Sequence, residues 1–96
     1  MNAAGIVARH LMIYGRVQGV WYRAWAVETA RGLGLTGWVR NRADGSVEAL
    51  VQGRPKAVEA FIRRAHDGPP AAAVARIDIA DAPVEPRDRF DKRPTL

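Results

Sequence analysis

Cysteine is absent from the chain. Disulfides, thiolate metal sites and cysteine-based phosphate chemistry are excluded with it. A chain without cysteine is at ease in a reducing compartment, and a cytoplasmic location is expected. Serine is nearly absent: Ser46 stands alone with no histidine near it in sequence, so no Ser–His nucleophile pair is visible. His10 and His66 are single and far apart, which fits structural or solvated side chains. No apolar run approaches the roughly 20 residues of a membrane span. Met1 to Ala8 has no basic segment leading into a long apolar one, so no signal peptide is expected.

Lysine is scarce as well. Only Lys56 and Lys92 are lysines among the 15 basic residues, the others being arginines. The net charge is +5 and the pI about 10.7. A basic balance favours anionic partners such as nucleic acid, anionic lipid or phosphorylated small molecules. Arginine adds a planar fork that grips phosphate in a bidentate way. The plainer reading is that most of these arginines solubilise the surface. The 96 residues, 48% of them apolar, suit one domain, residues 1–96, with a modest core.

Residues 1–8 read as a loose leader. From Arg9 to Val17 the apolar Leu11, Ile13 and Val17 alternate with His10 and Arg16, while Met12 and Tyr14 fall on a second face, as in a central strand. From Tyr22 the period changes. Tyr22, Trp25, Ala26, Thr29, Ala30 and Leu33 share one helical face, with Arg31 in the last turn and Gly34 as a left-handed stop. Leu35 to Arg42 reads as a second strand. Asp44-Gly45 then signals a hairpin into a third strand, Ser46 to Gln52, with Val47, Ala49 and Val51 on one face and Glu48, Leu50 and Gln52 on the other. Gly53-Arg54-Pro55 opens a second helix with the stripe Val58, Phe61, Ile62 and Ala65, closed by Gly68-Pro69-Pro70. Val74 to Ile79 makes a fourth strand. Residues 80–96 form a tail rich in proline and charge, with one short edge pairing near Phe90. The order is β-α-β-β-α-β. Each helix has one apolar stripe, so both must lie on one face of an antiparallel sheet: an α+β, ferredoxin-like split βαβ.

Two stretches stand out. In Gly15-Arg16-Val17-Gln18-Gly19-Val20-Trp21-Tyr22-Arg23 a strand gives way to a helix. The amides of Gln18, Gly19, Val20, Trp21, Tyr22 and Arg23 lie at or just before a helix N-terminus, where N–H groups lack intrahelical partners and the dipole attracts anions. Gly19 allows close backbone approach. Arg23 is a cation in the first turn, a local conflict of the kind that marks function. In Trp38-Val39-Arg40-Asn41-Arg42, Asn41 ends a strand beside a hairpin, where asparagine commonly shapes the turn. Arg40 and Arg42 are solvated or phosphate-facing. The acids Asp78, Asp81, Glu85, Asp88 and Asp91 interleave with Arg87, Arg89, Lys92 and Arg93, a solvated pattern looser than a metal site requires.

Together, Gly15 to Arg23, Gly37 to Arg42, and Asp44-Gly45-Ser46-Val47-Glu48 resemble the signatures of the acylphosphatase family, in the expected order and separation. The resemblance runs from about Arg9 to Ile79. It implies a small ferredoxin-like enzyme that hydrolyses the mixed anhydride of a carboxylic and a phosphoric acid, with no metal and no cofactor. It also implies that Arg23 binds phosphate, that Asn41 positions water, and that the amides from Gln18 to Arg23 form the phosphate cradle. The implied partner is a small acyl phosphate, with no nucleic acid and no membrane; a monomer is expected for so short a chain. Trp21 is bulkier than the residue often found at its place, and Phe90-Asp91-Lys92-Arg93 is a weak edge strand.

An RNA-binding module is the alternative, since it shares the topology and a high pI. Such modules need exposed aromatics on the central strands. The third strand has none, and Tyr14 is a single platform.

Overall fold

A computed structural model of the chain describes residues 5–96. Seven elements follow in order: β1 (Val7–Arg16), α1 (Tyr22–Gly32), β2 (Thr36–Asn41), β3 (Val47–Gly53), α2 (Pro55–Ala65), β4 (Ala73–Ala82) and β5 (Phe90–Lys92). The sheet order is β4-β1-β3-β2-β5. The first four strands pair antiparallel, and β5 joins β2 in parallel. Both helices pack on one face, where Tyr22, Ala26, Ala30, Val58, Phe61 and Ala65 meet Leu11, Ile13, Val39, Val47, Ala49 and Val51. Fully burying one such aliphatic or aromatic side chain is worth about 1.5–3 kcal/mol. Tyr22, Trp25, Phe61 and Phe90 form a row of tilted rings 5.3 to 6.2 Å apart that links α1, α2 and β5.

Local chemistry accounts for the element ends. Gly34 takes φ 72° just after α1, where a left-handed residue ends the helix. Pro55 opens α2, where its missing N–H costs nothing. Ser46 is buried in the hairpin, its backbone N–H and hydroxyl both donating to Asp44 Oδ1.

Two boundaries differ from the sequence reading by two residues or more. β1 begins at Val7, and Ala8 is buried and paired with Gln52 and Ala82, so the leader does not extend to residue 8. Residues 1–4 lie outside the described residues. β4 runs to Ala82, because its pairing with β1 continues past the apolar face that marked it. Alanines at 73, 80 and 82 carry no periodic signal of their own. The short strand near Phe90 is present, and Phe90 is fully buried against the helices.

Gly37 shows how tightly β2 is fitted. Its φ is 136°, and a Cβ there would overlap the Leu50 carbonyl on β3 and touch the Phe90 ring. Backbone cannot move aside as a flexible side chain can. Gly37→Ala is therefore expected to destabilise the fold by about 3 kcal/mol. Gly45→Ala, at φ 93° in open space, is expected to cost about 1 kcal/mol. Urea denaturation of the two variants checks the difference.

Candidate active site

The segment between β1 and α1 is where backbone, charge and cavity meet. Val17 and Val20 turn into the core, and Gly19 takes φ 73°. Trp21, the residue before α1, has φ 69° and ψ 22°. It is the one non-glycine residue with positive φ among those described, a conformation that costs about 1–2 kcal/mol. Its side chain is 80% exposed, so packing does not hold it there. Backbone strain of this kind concentrates at ligand clamps. No side chain caps the helix start, and the first turn has no acid. Its free N–H groups are left for a ligand or water.

Two side chains hold the segment in place. Tyr22 is buried, and its hydroxyl donates to the Ala65 carbonyl at 2.6 Å, tying the start of α1 to the end of α2. Burial pushes that hydroxyl's pKa up. Gln18 Nε2 donates to the carbonyls of Arg42 and Ser46, both at 2.8 Å. Thus Gln18 locks the segment to the β2–β3 hairpin, which carries Asn41.

A cavity of about 320 Å³ opens here. Gln18, Gly19, Trp21, Tyr22, Arg23 and Asn41 line it together. Val20 does not; its side chain is 8% exposed, within the core, and only its backbone can belong to the segment's concave side. Arg23 is half-buried, and among the described residues its guanidinium makes no ion pair or side-chain hydrogen bond. Asn41 is the last residue of β2, on the strand face that also carries Val39 and looks toward the helices.

Lys92 also lines the cavity. The sequence reading left it in a solvated tail. It reaches the site because β5 pairs with β2, which sets Lys92 beside Val39 and on the same strand face as Phe90. The alternation of Phe90 and Lys92 was the available signal, but a three-residue strand is too short to reveal its partner. The cavity lining therefore holds two cations and no carboxylate or imidazole. Among the described residues no group of three or more His, Asp or Glu is placed to hold a metal.

Arg40 and Arg42 alternate with Asn41 and so face away, on the sheet surface without helices. There they converge on Glu48, which is 7% exposed. Arg40 Nε donates to Glu48 Oε1 at 2.6 Å and Arg42 Nη1 at 3.1 Å; His10 Nε2 lies 2.6 Å from Oε2. Burial raises the Glu48 pKa, but the hydrogen bonds from Arg40, His10 and Arg42 outweigh it and hold it at about 2. The folded value lies below the ordinary 4.5, so the stability this carboxylate contributes is complete above about pH 4.5 and is lost as pH falls toward 2. A depression of that size corresponds to about 3 kcal/mol. Glu48→Gln is expected to lower stability by about that amount at pH 7, the difference from wild type shrinking across the acid window. Denaturant titrations at pH 7, 4 and 2.5 check it.

The acylphosphatase family profile matches residues 9–92. The chain is 52% identical to the acylphosphatase of Acidovorax sp. (strain JS42) over 95 residues, covering 99% of this chain and 98% of that one. The chain belongs to the acylphosphatase family. A second acylphosphatase, from Azoarcus sp. (strain BH72), is 58% identical over 90 residues, 94% of this chain and 92% of its own. Among solved structures, an acylphosphatase from Coxiella burnetii superposes with a TM-score of 0.92 at 32% identity, covering 97% of this chain and all of that one. Membership in the acylphosphatase family accounts for the ferredoxin-like topology and makes the chain a hydrolase of acyl phosphates.

Proposed function

We propose that the segment from Gln18 to Arg23 holds the phosphoryl group of an acyl phosphate and that Asn41 orients the attacking water. The observation that carries this is the lining of a single cavity: an arginine without a side-chain partner among the described residues, an uncapped helix start and a carboxamide. Arg23 can give two parallel charge-assisted hydrogen bonds to phosphoryl oxygens. The free amides take the others, and the helix dipole adds to the field. Bound phosphate between the Arg23 cation and the positive helix end relieves the repulsion between them. The strained Trp21 backbone keeps the amides turned inward before substrate arrives, so little reorganisation is needed at the moment of reaction.

The Asn41 carboxamide both donates and accepts, which lets it fix a water by its proton and its lone pair. The water oxygen bonds to phosphorus in line as the bond to the carboxylate oxygen breaks. The carboxylate departs with the electron pair. The cavity has no carboxylate or imidazole to act as base, so the water's proton passes to a phosphoryl oxygen. The products are a carboxylate and inorganic phosphate. The leaving group is already a weak base and needs no protonation.

The RNA-binding alternative finds little support. Of the aromatics on the open sheet face, Tyr14 lies under Arg76 at 4.4 Å, and the Trp38 ring is met by both Arg40 and Arg93, each at 4.7 Å. Each ring thus already stacks with an arginine that a base would have to displace or share. On our reading the chain acts as a monomer in the cytoplasm on a small-molecule substrate. No described helix is long and apolar enough to cross a membrane.

Hydrolysis of a small acyl phosphate in excess EDTA tests the proposal. Turnover is expected to persist, with inorganic phosphate as a competitive inhibitor. Absence of turnover, or inhibition that is not competitive, overturns it.

A further inference from the structure

The cavity does not end at Arg23. A second groove of about 430 Å³ adjoins it, lined by Ala24, Val27, Glu28, Arg31 and Lys92. Ala24, Val27, Glu28 and Arg31 form one stripe of α1, at i, i+3, i+4 and i+7. The cavity and the groove share two residues, Ala24 and Lys92. Lys92 is thus a hinge between them, contributed by the edge strand. Its side chain is exposed, and among the described residues the ammonium makes no ion pair or hydrogen bond.

We infer that Lys92 makes this enzyme selective for acyl phosphates whose acyl group carries a carboxylate of its own. The inference rests on the phosphate reading of the cavity. If the phosphoryl group occupies the cavity, an acyl chain following the groove passes over Ala24 and beside the Lys92 ammonium. A carboxylate at that point gains an ion pair; a neutral chain gains nothing. The flexible lysine stem and compact charge tolerate a range of carboxylate positions, unlike a fixed guanidinium fork. Glu28 sits in the same groove and disfavours an anion further along α1. That places the favoured carboxylate close to Lys92, and so on a short chain. Arg31 lies seven residues beyond Ala24, about 10 Å along the helix, out of reach of such a chain.

The test uses two probes of equal length, butanoyl phosphate and 3-carboxypropanoyl phosphate. The quantity read is the ratio of their kcat/KM values, carboxylated over neutral. Lys92→Gln is expected to lower the ratio about fivefold, the scale of an exposed ion pair, and Lys92→Glu to lower it further. Raising the salt to about 1 M is expected to lower the wild-type ratio in the same direction, because exposed pairs are screened. Both variants should fold, since the side chain is exposed and has no partner among the described residues. A ratio unchanged in Lys92→Gln overturns the inference. If both probes and the inhibition by inorganic phosphate weaken by one common factor, Lys92 serves the phosphoryl group, and the inference is likewise overturned. Failure of the underlying phosphate reading would show separately, as Arg23→Ala turning over both probes at the wild-type rate.

Discussion

Arg23→Ala is expected to lower kcat/KM for a small acyl phosphate by about a thousandfold. Removing one preorganised donor from a transition-state charge costs about 10²–10³ in rate, and in its proposed role Arg23 contributes a full charge and two bonds. Ground-state binding should suffer too, because the phosphoryl group is anionic before reaction: KM and the inhibition constant for inorganic phosphate should both rise. Arg23→Lys restores the charge without the fork and should recover about tenfold of the loss. The stability of Arg23→Ala should move the other way. Among the described residues Arg23 has no ion pair to lose, and a cation in the first helical turn is unfavourable by about 0.3–1 kcal/mol. A variant slightly more stable than wild type yet nearly inactive would identify an arginine kept for its ligand. Near-normal activity would remove Arg23 from the site.

Asn41→Ala is expected to lower kcat by about a hundredfold or more while leaving KM within about twofold. The asymmetry follows from its partner. In its proposed role Asn41 holds the attacking water and not the phosphoryl group, so its contribution appears only as the reaction proceeds. Its structural part is played by the backbone: its carbonyl accepts from the Leu96 N–H at 3.1 Å, a bond the alanine retains. Denaturation midpoints should therefore stay close to wild type. Asn41→Asp should be at least as inactive, since a carboxylate facing the phosphoryl group repels substrate and cannot donate. A large rise in KM for Asn41→Ala would instead mean that the carboxamide binds phosphate directly.

Much of this arrangement is legible along the chain. The change from an alternating to a helical period at Tyr22, the glycine at 34, the Asp44-Gly45 turn and the proline at 55 mark five of the seven elements to within a residue or two. Arg23 is visible as a cation out of place. Two features lie beyond the reach of local pattern for one cause. Alternation puts Glu48 on the face opposite Val47, Ala49 and Val51 without revealing its ion cluster, and the charged tail hides the place of Lys92 at the cavity. Both are defined by partners far off in sequence: Glu48 by His10, 38 residues away, and Lys92 by β2, which it reaches through a three-residue strand. Short-range periodicity contains no term for either.

By itself, then, the sequence determined the elements, their order, the family and which residues are the candidates for phosphate chemistry. Each is a property of neighbouring residues: a turn needs its glycine, a helix its stripe, a motif its spacing. Only the tertiary structure decided which side chains share a cavity. It set Asn41 toward α1 and its neighbours Arg40 and Arg42 toward Glu48, because successive strand residues face opposite sides and the sheet has helices on one side only. It brought Lys92 to the mouth of the site by parallel pairing with β2. It also put the backbone of Trp21 in a left-handed conformation that side-chain preference opposes, held by Tyr22 and Gln18 on either side.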